Sequence, residues 1–244
     1  MRKRNRLSGW DDRLIEGFLD FISKPFEQDE RRQGDRIKFV GYYELLKLLR
    51  EPRCPVCAIV DRSLRYYLKT VFIEQLTDSE FRQPVRDSLG YCHRHSQLVL
   101  ELSRKRLPRM GIAIVYEDIL ALVEAALHDE SSVLQRGDCP LCAMEQDIET
   151  YGAQLIADYC GDRDFQEAFE TSAGVCLPHL RLVDSRLDGD RAKFFRSAEH
   201  RILTKLEGQL NEFIRKHDYR FSNEKINQEE AGSWQRAVRF TVGE

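Results

Sequence analysis

Residues 51–60 read EPRCPVCAIV and residues 137–145 read GDCPLCAME. The two Cys-Pro-x-Cys-Ala stretches stand 85 residues apart, and the residues downstream of each decide the fold. Tyr66 matches Tyr151 at that same offset of 85. One residue is then lost, and Asp78, Phe81, Gly90, Cys92 and His95 match Asp162, Phe165, Gly174, Cys176 and His179. Ile119, Leu120, Glu124 and Leu127 match Ile202, Leu203, Glu207 and Leu210 at an offset of 83. A unit of about 85 residues thus occurs twice. Each repeat reads C-P-x-C, then 34 or 33 residues, then C-x-x-H. The alignment also separates two histidines in GYCHRHSQ: only His95 has a counterpart, in GVCLPHLR, so His93 is read as an exposed side chain or a group standing behind the ligands.

The hydrophobic pattern between the motifs is helical. Over residues 58–76, Ile59, Leu64, Tyr67, Leu68, Phe72 and Leu76 form one stripe at spacings of three to five. Met144, Ile148, Tyr151 and Leu155 do the same over 143–159. SEFRQPVRDSLG and RDFQEAFETSAG read as short second helices stopped by Gly90 and Gly174 at a C-terminal cap. Third helices begin straight after the histidines, and 110–130 and 192–218 are long closing helices. No alternating strand pattern is seen. The expected fold is all-α: an irregular N-terminal arm (1–40), a first helical metal-binding unit (41–127), a second (128–218), and an irregular C-terminal tail (219–244) packed on the core.

Cysteine and histidine in this arrangement point to a metal. Zinc takes four ligands in a tetrahedron, and structural sites close the shell with Cys and His. Two cysteines separated by two residues reach one ion from a tight turn, and a proline between them suits the start of the following helix. A spacing of three places Cys and His on one face of a first helical turn, where the helix dipole favours thiolate. Each repeat supplies a complete set. The expected cages are Cys54, Cys57, Cys92 and His95 in the first, and Cys139, Cys142, Cys176 and His179 in the second. A saturated shell leaves no position for an activated water, so it clamps a fold and does not catalyse hydrolysis. The expected cofactor is zinc, two ions per chain. An iron–sulfur cluster is open to the same donors. A thioredoxin-like pair needs a βαβ context that the pattern lacks.

Bulk properties narrow the function classes. The chain has 244 residues, 42% hydrophobic and 32% charged, with a net charge of −3. That balance argues against a protein that coats duplex nucleic acid. Basic patches at Arg2, Lys3, Arg4 and Arg6 and at Arg104, Lys105 and Arg106 keep a nucleic-acid role as an alternative. No apolar run approaches the roughly 20 residues of a membrane span, and the basic N-terminus has no apolar segment behind it, so a cytoplasmic location is expected. There, cysteines bind metal or do redox work more often than they form disulfides. Cys160 has no counterpart and is read as a small core hydrophobe. His128, His200 and His217 are read as polar helix-face residues. There is no Ser-His-Asp order, glycine-rich phosphate loop or H-E-x-x-H.

The tail EFIRKHDYRFSNEKINQEEAGSWQRAVRFTVGE, taken with the paired C-P-x-C and G-x-C-x-x-H motifs, resembles a family of uncharacterised bacterial proteins with two such cysteine modules. The resemblance covers about residues 40–240. It implies a helical chain ending in a segment like Lys216-His217-Asp218-Tyr219-Arg220-Phe221 followed by Ser233-Trp234, and it implies metal ligation by all eight Cys and His positions. It implies no activity. Physically, KHDYRF reads as a helix end whose cations offset the dipole and whose aromatics pack the tail back, with Trp234 as the anchor. The functional expectation is a non-enzymatic zinc-stabilised helical protein that binds another protein. A thiol- or cluster-based redox protein is the alternative from another class.

Overall fold

The computed structural model describes residues 40–74, 79–104, 107–128 and 135–243. The expectations for the arm before residue 40 and for Lys105 and Arg106 fall outside the described residues. Among the described residues the fold is all-α, without a strand. Its helices are α1 (Val40–Leu48), α2 (Pro55–Glu74), α3 (Ser79–Asp87), α4 (His93–Ser103), α5 (Arg109–His128), α6 (Pro140–Tyr159), α7 (Arg163–Glu170), α8 (Leu177–Asp184), α9 (Gly189–Lys216), α10 (Gln228–Ala231) and α11 (Ser233–Val242). A 3₁₀ turn, Tyr219–Phe221, precedes α10. Helices α2 to α5 correspond one by one to α6 to α9, as the duplication requires.

Local chemistry sets the helix ends. Pro55 and Pro140 open α2 and α6, where their fixed φ suits a first helical residue and their missing N–H is no loss. Cys92 and Cys176 are the extended residues that precede α4 and α8, and neither thiol caps its helix. The side chains stay available to something else. After α3 the stop lies one residue earlier than the glycine. Leu89 holds the left-handed conformation at φ 48°, its N–H reaches Arg86 O, and the Gly90 N–H reaches Val85 O at 2.8 Å. This is a Schellman turn in which Gly90 is the second residue past the cap. After α7 the capping residue is Thr171, and Gly174 lies further on with another task.

The described chain divides into two compact units that do not coincide with the two repeats. Unit one contains Asp61–Asp147; unit two joins the stretch ending at Val60 to the chain from Ile148 onward. Helix α2 therefore begins in unit two, and α6 begins in unit one. The core of unit one includes Leu64, Leu68, Phe72, Val85, Val99, Val115 and Leu141, with Phe81 edge-on to Phe72 at 5.9 Å. In unit two, Phe165, Phe169 and Phe195 form an aromatic series at ring distances of 5.4 and 5.6 Å. Tyr42 donates to Asp162 Oδ1 at 2.5 Å, and the same oxygen caps α7 by accepting from the Phe165 N–H.

The C-terminal stretch differs from the expectation of an irregular tail. Asn227 and Glu230 form a reciprocal capping box that starts α10, and α11 follows at Ser233. Trp234 is not the anchor: it is 48% exposed, and Tyr219 is 84% exposed. The buried groups are Glu230 and Ser233. Lys216 Nζ reaches both Glu230 oxygens at 2.7 and 2.8 Å, and Ser233 Oγ donates to Glu230 O. Sequence reasoning chose the largest aromatic, whereas the contacts that tie the tail to α9 include those of Lys216 with Glu230, Lys205 with Glu229 and Arg236 with Gln209. Among the described residues no helix is long and apolar enough to cross a membrane.

Candidate metal centres

The eight predicted ligands gather into two groups, but not the two expected. Cys54 and Cys57 meet Cys176 and His179 in unit two, and Cys92 and His95 meet Cys139 and Cys142 in unit one. Each C-P-x-C pairs with the C-x-x-H of the other repeat. Helix α2 has 20 residues, a run of about 30 Å at 1.5 Å per residue, against about 13 Å for the nine residues of α3. The second repeat has the same disparity, with 20 residues in α6 and eight in α7.

Within each group the donors surround one point, all lying within 4.8 Å of one another. In unit two, His179 Nδ1 lies 3.4, 3.4 and 3.0 Å from the sulfurs of Cys54, Cys57 and Cys176. In unit one, His95 Nδ1 lies 3.2, 3.5 and 3.5 Å from those of Cys92, Cys139 and Cys142. The sulfurs of Cys57 and Cys176, and those of Cys92 and Cys142, are 3.7 Å apart. No disulfide joins any cysteine, and all seven are among the described residues. His93 is exposed and Cys160 fully buried, as expected.

Both imidazoles turn the other nitrogen toward a carboxylate. His95 Nε2 is 3.6 Å from Glu145 Oε2, which also pairs with Arg94, and His179 Nε2 is 3.4 Å from Glu149 Oε1. A carboxylate behind a ligating histidine fixes its tautomer and raises its basicity. Sequence reasoning missed both glutamates. They lie four residues apart on α6, and the repeat offset maps them onto Val60 and Leu64, so the alignment carried no signal.

The thiols are crowded in a way that asks for a cation. Burial, then hydrogen bonds with Cys176 and Cys57, push the Cys54 thiol well above its ordinary range. Burial and then Cys92 and Cys139 push Cys142 up to about 12. Burial also resists ionisation of Cys92, but the His95 backbone N–H and the Cys142 and Cys139 thiols bring it below an ordinary thiol. Three thiolates cannot share such a space without a compensating charge, and a coordinated divalent ion deprotonates its thiols outright.

The centres differ in cover. All four unit-two ligands are buried, whereas Cys92, Cys139 and Cys142 are half-buried. The cover in unit two comes from the core around Tyr42, Leu45 and Leu49 and, in part, from the segment after α11. Gly243, at φ +79°, lies against the cage: a Cβ there would sit 3.5 Å from Cys57 Sγ and 3.6 Å from Cys176 Sγ.

Gly174 has a related role one step back from the ligands. Glu199 on α9 is buried, and its Oε1 accepts the Val175 N–H at 2.8 Å while Oε2 has no partner. A Cβ at Gly174 would lie 2.7 Å from that Oε2. The corresponding pair in unit one is Gly90 and Tyr116, at 3.3 Å. Burial pushes the Glu199 carboxyl up to about 7, with the Val175 N–H pulling the other way. A carboxyl raised on folding contributes stability below its unfolded pKa of about 4.3 and loses that contribution as pH rises through about 7. Glu199→Gln is therefore expected to stabilise unit two by about 2 kcal/mol at pH 8 and by distinctly less at pH 5.5. Urea unfolding at the two pH values checks this; a loss of stability at pH 8 would contradict it.

No solved structure matches the chain. A curated relative, the "Uncharacterized 23.9 kDa protein in xynA 3'region" of Caldicellulosiruptor sp. (strain Rt8B.4), is 23% identical over 212 residues, spanning 82% of this chain and 99% of the relative. The model of a family of unknown function, DUF6062, matches residues 26–132 and again residues 133–244. The two matches follow the duplication read from the cysteine motifs, and the chain belongs to this family of unknown function.

Proposed function

We propose that each cage binds one zinc ion and that the protein is a non-enzymatic, zinc-stabilised helical module acting through a protein partner. The donor spacing carries this reading. A tetrahedral zinc with Zn–S of about 2.3 Å and Zn–N of about 2.0 Å separates its sulfurs by about 3.8 Å and each sulfur from nitrogen by about 3.5 Å. In each cage one pair of sulfurs lies 3.7 Å apart, all donors lie within 4.8 Å of one another, and the S···N distances run from 3.0 to 3.5 Å. An iron–sulfur cluster spreads its protein ligands over several irons, which calls for a wider set. Three sulfurs and one nitrogen saturate the ion, so the chemistry the metal would supply is cross-linking and not activation of water.

The helix N-termini at Pro55, His93, Pro140 and Leu177 aim their positive ends at these ligands and favour thiolate. Glu145 and Glu149 would hold the imidazoles in place. Elemental analysis of the purified chain is expected to give two zinc ions, and their removal to melt the helices. Structural zinc is worth on the order of 10 kcal/mol of apparent folding free energy per site. Iron with visible absorption, or full helicity after metal removal, would overturn the reading.

A further inference from the structure

The zinc-module reading leaves the protein partner open, and the duplication offers a way to identify one. Helix α5 is the most apolar long helix among the described residues. It buries Gly111, Val115 and Ile119 and leaves Met110 (78% exposed), Ile114, Leu120 (67%) and Leu127 (80%) on its outward side. Its duplicate, α9, shows what a closing helix needs for itself. At the positions matching Met110, Ala113 and Ile114, α9 carries Lys193, Arg196 and Ser197. Where α9 keeps apolar residues, at Leu203 and Leu210, they are half-buried, and α10 and α11 pack along this helix. Folding of the unit thus does not demand an apolar outward stripe on α5. The duplicate either makes that side polar or covers it with a helix.

The same chain carries a matching surface. Helix α11 turns Ser233, Ala237 and Phe240 inward and leaves Trp234, Val238 and Val242 outward, at spacings of four. Of the fourteen large exposed hydrophobic side chains among the described residues, seven lie on α5 and α11. Charge agrees with shape. Between Arg109 and His128, the exposed charged residues of α5 are Glu117 and Glu124, whereas α11 exposes Arg239 and carries no acid. Solvent-facing helices of stable single chains do not collect apolar stripes of this kind without a use for them.

We infer that α5 is the docking surface for a second molecule of this protein, which seats the outward stripe of its α11 along Ile114, Leu120 and Leu127. The contact is heterologous, joining unit one of one molecule to unit two of another. It names the partner class of the zinc-module reading and does not itself require metal, since no ligand lies on either stripe.

The test is the mass of the full-length, metal-replete chain by sedimentation and light scattering over a dilution series. The wild type is expected to associate and to dissociate on dilution. Leu120→Glu with Leu127→Glu, and separately Trp234→Glu with Val238→Glu, are each expected to weaken association by about a hundredfold or more. Because all four positions are exposed, helicity and metal content should stay at the wild-type level, which separates this outcome from failure of the cages. Mixing the two variants restores association, because one carries an intact α11 and the other an intact α5. A wild type that is monomeric at every concentration, association indifferent to the α11 variant, or a mixture that stays monomeric would each overturn the inference.

Discussion

Serine at Cys57 and Cys176 together is expected to remove one zinc ion per chain, whereas serine at Cys57 and Cys92 together removes both. The contrast stems from the exchanged ligand sets. Cys57 and Cys176 belong to one ligand set, their sulfurs 3.7 Å apart, while Cys92 belongs with Cys139 and Cys142. If each repeat clamped its own ion, the outcome would invert: Cys57 with Cys92 would cost one ion and Cys57 with Cys176 would cost two. Elemental analysis of the two double variants decides the matter with no structure determination. The stability effect should track the same grouping. The first pair loosens unit two and spares unit one, with a loss on the order of 10 kcal/mol confined to the emptied unit. Hydrogen exchange resolved by peptide reads that localisation, because opening is measured segment by segment.

A chelator is expected to strip the ions in two phases, the faster one from unit one. There three of the four ligands are half-buried, and a competing ligand can approach the thiolates. In unit two the ligands are 3–7% exposed and Gly243 lies against two of the sulfurs, so attack waits on movement of the chain end. Opening of such a segment costs free energy that the exposed site does not require, and a separation of the two rates by at least about tenfold is expected, since 1.4 kcal/mol already gives that factor. Metal release monitored with a colorimetric indicator measures it. Cys92→Ser should abolish the fast phase alone, and truncation after Phe240 should quicken the slow one. A single phase, or loss of the slow phase in Cys92→Ser, would contradict the assignment.

Much of this architecture was legible in the residues. The helical class came from stripes at spacings of three to five, and the helix starts from Pro55 and Pro140. All eight ligand candidates came from matching two copies of one pattern. The pairing did not, because an alignment says which residues are equivalent and not which ones meet. Leu89 took the left-handed position expected of a glycine because the Schellman hydrogen bonds were available one residue earlier. Glu145, Glu149 and Glu199 could not be found by repetition: their counterparts Val60, Leu64 and Tyr116 do other work. Trp234 misled because bulk suggests burial, whereas polar contacts such as Lys216–Glu230 and Arg236–Gln209 tie the tail to α9.

The exchanged pairing also imposes an order on biosynthesis. Cys54 and Cys57 leave the ribosome some 120 residues ahead of Cys176 and His179, while Cys92 waits only 50 residues for Cys142. At roughly 5–20 residues per second, the first thiol pair stays unmatched for about 6–24 s. The later-beginning cage is thus completed first, and the thiols made earliest in translation must be kept reduced until His179 has been synthesised.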